Sequence, residues 1–326
     1  MCYTVFVTIE SRGAYILYRF VTRIAAAAAA VLMLGGCTQI VEESPEPVSE
    51  TVFTESPYPV AVGSLIFNES PESVGSLSPA LTEIICELGY SDKITGRSIY
   101  CKYPESITGK KELGSAANPD ADAIIEAAPQ LLMSQSPIAK KDITAIENAG
   151  TRVWIISAPK SVAELYACYT DISAVFGGKL NSAAAAEDAL DPLKEALYKA
   201  ENSVESFVYI MSPSLAAASN STFAGEFFSH FGKNAAGDKE DNSLTAEELL
   251  ELAPQWIIIP CTMDTDDLPE EVSGLEALKN GRVIVLDEET MERIERPTSR
   301  LDSAVYDVLE QINGGGMSTD SENTEE

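Results

Sequence analysis

Apolar residues recur along this chain in two rhythms that trade places at regular intervals. Val74–Leu77 is a short apolar run that ends in Ser78-Pro79, and beyond it Leu81, Ile84, Ile85 and Leu88 recur at helical spacing. Pro79 suits the first turn of a helix, where its missing N–H costs nothing, and Ser78 is placed to cap the free amides there. Gly89 closes the helix. A second strand, Lys93–Gly96, follows, and Tyr100-Cys101-Lys102-Tyr103-Pro104 stops the unit with two phenols. Strand, loop, helix and strand over this length predict a βαβ unit, which places ligands beyond the carboxyl ends of its strands.

The same grammar continues on both sides. Pro59–Phe67 predicts a small hairpin. Asn118–Pro129 predicts a short helix stopped by proline, Gln130–Met133 a buried strand, Ala139–Ala149 a further helix, and Val153–Ile156 a strand. Later, Phe207–Met211 runs into Ser212-Pro213 as Leu77 runs into Ser78-Pro79. Glu226–Gly232 echoes Glu83–Gly89, and Ala253-Pro254-Gln255 matches Ala128-Pro129-Gln130. Three matches in one order predict a duplicated α/β lobe.

Between the copies, residues 161–205 are rich in Ala, Leu, Glu and Lys, which predicts a connecting helix that Pro192 should kink or restart. Ser299–Ile312 predicts a final helix, broken by Asn313-Gly-Gly-Gly. The fold class expected is α/β: two lobes, each with a mostly parallel sheet flanked by helices, joined by a long inter-lobe helix. The lobes fall at 59–160 and 206–312, and residues 313–326 read as a disordered tail.

Charge changes the picture. The chain has 22 Lys and Arg against 51 Asp and Glu, for a net charge of −29. That balance argues against nucleic acid and against adhesion to anionic lipid. Arg19 and Arg23 precede an apolar run, Ile24–Leu34, that is too short to span a bilayer comfortably and ends in Leu34-Gly35-Gly36-Cys37. Small residues before a cysteine there resemble a bacterial lipobox, which makes 1–36 a signal peptide and Cys37 the lipidated mature N-terminus. An ordinary signal peptide or an apolar N-terminal helix is the plainer alternative. Residues 37–58, acidic and interspersed with Pro and Ser, read as a flexible tether. Of the remaining cysteines, Cys86, Cys101, Cys168 and Cys261 are compatible with disulfides in three connectivities or with free thiols.

Catalytic chemistry has little to work with. His230 is the one histidine and sits in a predicted helix among Phe227, Phe228 and Phe231, so packing explains it. No nucleotide, zinc-hydrolase or nucleophile-elbow motif is present. Asp264, Asp266 and Asp267 lack the glycine and glutamate of a calcium loop, and the scarcity of histidine excludes a direct zinc or manganese binder. No catalytic residue, metal site or cofactor is expected.

Binding has more to offer. If the lobes face each other, ligand touches the loops after the strands: Ser78 and Pro79, Tyr100 and Tyr103, Gln135, Ser212–Ser214 and Met263, with Phe223 and the Glu292–Pro297 segment beside them. Tyr100 and Tyr103 offer flat amphipathic faces for a large conjugated ligand, although Tyr103-Pro104 also reads as a structural stop.

Leu77–Ile84 followed by Tyr-x-x-Tyr-Pro resembles the binding proteins that deliver vitamin B12 and ferric siderophores to ABC importers, and the resemblance extends over residues 59–312. It implies a stiff helical connection between lobes and a Glu292/Arg296 pair facing corrin amides. It also implies one acidic knob per lobe, Asp122 and Glu247, docking onto arginines of a two-fold permease. The scarcity of tryptophan, only Trp154 and Trp256, departs from the family's aromatic lining. The expectation is therefore a monomeric, lipid-anchored extracytoplasmic protein, with an ABC permease and ATPase as partners, that binds a corrinoid. An iron chelate such as a ferric siderophore, or haem, is the rival ligand. A tetrapyrrole-directed enzyme and a ligand-sensing module for a membrane receptor are the readings from other classes.

Overall fold

The computed structural model describes residues 55–315. Cys37, the signal peptide, the tether up to residue 54 and the tail from residue 316 lie outside the described residues. Among the described residues no helix is long and apolar enough to cross a membrane.

A hairpin opens the fold, with β1 (Val60–Val62) antiparallel to β2 (Leu65–Phe67). The first lobe then runs β3 (Val74–Ser76), α1 (Pro79–Glu87), β4 (Ile94–Arg97), β5 (Lys111–Glu112), α2 (Ala121–Ala127), β6 (Leu131–Ser134), α3 (Lys140–Asn148) and β7 (Arg152–Ile155). Its sheet is wholly parallel in the order β5-β4-β3-β6-β7. Strand β3 is buried throughout, and its Gly75, like Gly96 of β4, leaves room for Leu113: a Cβ added at Gly96 would lie 2.6 Å from that side chain.

The second lobe repeats the plan with one edge strand fewer. Here β8 (Ser206–Tyr209), α6 (Phe223–Ser229), β9 (Lys233–Asn234), α7 (Ala246–Leu252), β10 (Trp256–Pro260), α8 (Glu276–Lys279) and β11 (Val283–Leu286) give the parallel order β11-β10-β8-β9. Helices α9 (Glu288–Glu295) and α10 (Leu301–Gly314) close the chain. In each lobe the first strand sits between the second and the strand after the repeated helix, so both lobes have a topological switch point.

The duplication extends to single hydrogen bonds. Asp120 caps α2 by accepting the Ala123 amide at 2.9 Å, and Thr245 with Glu248 forms a complete capping box on α7. Both helices end on a left-handed alanine, Ala128 at φ 44° and Ala253 at φ 41°, before the Pro-Gln pair. Gln130 then accepts the Glu72 amide and Gln255 the Glu205 amide, each at 2.7 Å. The amides of those glutamines donate to Ser73 and Ser206 at 3.0 Å.

Three expectations are corrected. Residues 161–205 are helical as composition predicts, but as two helices, α4 (Val162–Gly177) and α5 (Ser182–Ala200), packed on each other. The break falls at Gly178, whose φ of +86° and close seat on Pro57 need a residue without Cβ. Pro192 stays inside α5 and starts no new helix. Ser212-Pro213 opens no helix either: α6 begins ten residues later, where Thr222 accepts the Gly225 amide at 3.1 Å. The last helix runs through Asn313 and Gly314 to a left-handed Gly315 rather than ending at Ile312.

One buried apolar cluster passes from Leu81, Ile84 and Ile85 of α1, through Tyr169 and Ile172 of α4, to Phe207 and Phe228 of the second lobe. The lobes and the connection thus share a core.

Candidate functional site

Most of the ligand-site residues expected from sequence fall into three groups in the structure. The first lies at the switch point of the first lobe, between the neighbouring strands β3 and β6. Ser78 is buried and does not cap α1. Its Oγ instead accepts the Gln135 amide from the opposite loop at 2.7 Å. Gln135 and Pro79 are half-buried beside it.

The second group is the aromatic corner after β4. Tyr100 is 55% exposed and Tyr103 47%, although Cys101 between them is buried against Thr82 Oγ1, with sulfur and oxygen 3.1 Å apart. The burial of Cys101 fixes the loop and leaves both phenol rings outward. Arg300 of the second half of the chain lies over the Tyr103 ring, its guanidinium carbon 4.4 Å from the ring centre.

The third group is the α9 edge. Glu292 and Arg296, one helical turn apart, form an ion pair with each other. Arg293 bonds Asp307 at 2.8 Å and also pairs with Glu289. Arg300 faces Glu83 at 3.4 Å and Glu289 at 3.8 Å. All three arginines of this segment therefore meet carboxylates. Beside them, Cys261 Sγ reaches Met291 Sδ at 3.9 Å, and Phe223 stacks on Phe227 at the start of α6.

Met263 leaves the group. It is 7% exposed and packs with Leu268, Val272 and Leu275 in the second-lobe core, because its loop turns the exposed Cys261 outward in its place. Asp122 and Glu247 stand exposed in the first turns of α2 and α7.

Sequence reading passed over Glu83. Its side chain is 9% exposed among Ile84 and Ile85, and burial raises its carboxyl above the ordinary range against the opposing pull of Arg300. Periodicity gave no signal for it: Leu81, Ile84, Ile85 and Leu88 mark one face of α1 and Glu83 falls on the other, where tertiary packing buries it and supplies Arg300 as the partner a buried charge requires.

Several other titratable groups are held by burial or by neighbouring backbone. Burial pushes the Cys86 thiol to about 11 and Cys168 to about 12, and all four described cysteines are unbridged. His230 ends α6 with Nε2 3.5 Å from Glu226, whose other oxygen accepts the Val162 amide. Asp264 and Asp267 turn their carboxylates onto the backbone of their own 3-10 turn. Nothing in these contacts aligns a nucleophile with a base.

A sequence profile described as "Periplasmic binding protein" matches residues 74–290. A relative in Bacillus subtilis (strain 168), the uncharacterized ABC transporter substrate-binding lipoprotein YvrC, is 24% identical over 301 residues, spanning 87% of this chain and 94% of that protein. Among solved structures, a possible iron-binding (periplasmic solute-binding) protein of Staphylococcus epidermidis ATCC 12228 superimposes with a TM-score of 0.62 at 22% identity, covering 75% of this chain and 99% of the other. The periplasmic vitamin B12 binding protein BtuF of Vibrio cholerae gives 0.58 at 21% identity, covering 75% and 98%. These likenesses bear on the fold.

Proposed function

The chain belongs to the periplasmic binding protein family, and from that premise we propose that it captures a cobamide between its two lobes and delivers it to an ABC permease and its ATPase. The observation that carries the ligand choice is the neutralised α9 edge. Arg293, Arg296 and Arg300 each meet a carboxylate, so this rim has no uncommitted guanidinium for the anionic oxygens of a ferric chelate. Paired charges beside exposed phenol rings suit a near-neutral macrocycle rimmed with amides, which both donate and accept hydrogen bonds.

The name of the Bacillus relative supports a lipid-anchored, extracytoplasmic protein, in line with Cys37 as the lipidated residue. Asp122 and Glu247 are the proposed permease contacts. Each stands one turn before an exposed apolar side chain, Ile125 at 39% and Leu250 at 41%, at equivalent places in the two lobes. An iron chelate or haem is the second reading, favoured by the exposure of Tyr100 and Tyr103, since phenolate ligates ferric iron.

Protein purified from its native host should carry the red absorption of a corrinoid. Cyanocobalamin titrated by calorimetry should bind the wild type and bind Tyr100→Ala more weakly, by roughly 1–3 kcal/mol for a lost aromatic anchor. No heat with either protein, or a ferric chelate spectrum in the native preparation, would overturn the cobamide reading.

A further inference from the structure

The break at Gly178 raises the question of what holds the lobes in register, because no continuous helix does. The shared apolar core is one answer, and the segment Thr298–Arg300 adds a directional, polar one. Thr298 Oγ1 donates to Glu83 Oε2 at 3.3 Å, and Arg300 Nη1 reaches the two oxygens of the same carboxylate at 3.5 and 3.4 Å. The Ser299 amide donates to the Tyr169 hydroxyl at 2.8 Å, and that hydroxyl donates to Glu87. Glu83 and Glu87 lie one turn apart on α1, so a single face of the first lobe grips a single loop of the second, with α4 between them.

The grip reaches the aromatic corner. Arg300 pairs with Glu83 and Glu289 while its guanidinium carbon lies 4.4 Å from the centre of the Tyr103 ring. An arginine free to rotate would contact that ring only part of the time. A carboxylate fixed in the core removes that freedom, and the guanidinium's planar fork keeps its orientation.

We propose that Glu83 is a positioning residue of the ligand cleft: across the lobe boundary it holds Arg300, and Arg300 holds the ring of Tyr103. The inference rests on the reading of the Tyr103 corner as the ligand site. Its geometry, however, is testable without ligand.

The test is nitration of tyrosines by tetranitromethane, followed by peptide mass spectrometry, on folded wild type, Glu83→Gln, Arg300→Ala and the double variant. Tyr198, 79% exposed on α5, serves as the internal reference. Releasing the ring should speed nitration of Tyr103 roughly two- to fivefold in Arg300→Ala, the factor that a half-exposed cation–π contact represents, with Tyr198 unchanged. Glu83→Gln should give much of that increase. The double variant should react no faster than Arg300→Ala, since Glu83 acts only through Arg300. A Tyr103 rate unchanged in Arg300→Ala overturns the proposal, as does a double variant in which the two effects multiply. Arg300→Ala removes a partly exposed side chain, so it keeps the test open if Glu83→Gln fails to fold. Failure of cyanocobalamin to bind would leave these rates untouched and count only against the ligand.

Discussion

The Oγ of Ser78 accepts the backbone amide of Gln135 at 2.7 Å, and this one bond ties the loop after β3 to the loop after β6. Each loop is itself wound on a serine. Ser76 Oγ donates to the Ser78 carbonyl at 3.0 Å, and Ser134 Oγ donates to the Ser136 carbonyl at 2.7 Å. The two loops are therefore joined by a hydroxyl network rather than by a helix cap. Ser78→Ala should cost about 1 kcal/mol, rising towards ~3 kcal/mol if water cannot reach the freed amide. Urea unfolding measures it, and an unchanged midpoint would show that the bond contributes nothing.

Ala128 and Ala253 hold the left-handed conformation at the ends of α2 and α7. Glycine adopts it without the Cβ penalty, although it loses more freedom on folding. Ala128→Gly and Ala253→Gly should each stabilise the protein by roughly 0.5–1 kcal/mol. The sites lie in different lobes, so the gains should add. A melting temperature lowered by either substitution would refute this.

Glu83 should act against the usual acid-denaturation trend. Burial holds its carboxyl above the ordinary value of 4.5, so the unfolded chain ionises first and the folded state prefers the proton. Its favourable contribution is complete below 4.5 and is lost as pH rises through the folded value. Relative to Glu83→Gln, wild-type stability should fall as pH rises above that range. Glu248 works in the opposite sense: Lys239 and the Thr245 cap hold its carboxyl at about 2, so its contribution fades as pH falls. Urea titrations at several pH values should give slopes of opposite sign for variants at the two positions; equal slopes would remove Glu83 from the account.

Asp122 and Glu247 carry the docking proposal. Asp120 and the Thr245–Glu248 box already cap their helices, so both carboxylates are left facing outward. Asp122→Lys with Glu247→Lys should abolish uptake by cells while leaving melting temperature and ligand affinity nearly unchanged, because rim charges set encounter and register. The lost helix-dipole complement would cost only about 0.3–1 kcal/mol per site. Normal uptake by the double variant would reduce the two residues to helix ornaments.

What the sequence determined is what is written within a few residues or repeated along the chain. Helix α1 follows from Leu81, Ile84 and Ile85, the cap on α2 from Asp120, and the capping box from Thr245 and Glu248 three residues apart. The two lobes follow from one Ala-Pro-Gln signature used twice. Tertiary structure decided the partners of polar groups. Ser78 found Gln135 57 residues away, and Arg300 found Glu83 217 residues away. Composition specified a helical connection, but the seat of Gly178 on Pro57 divided it. The physical reason is one of range. Periodicity and capping depend on neighbours within a turn, whereas a buried hydroxyl or carboxylate takes whichever partner the packed lobes bring to it.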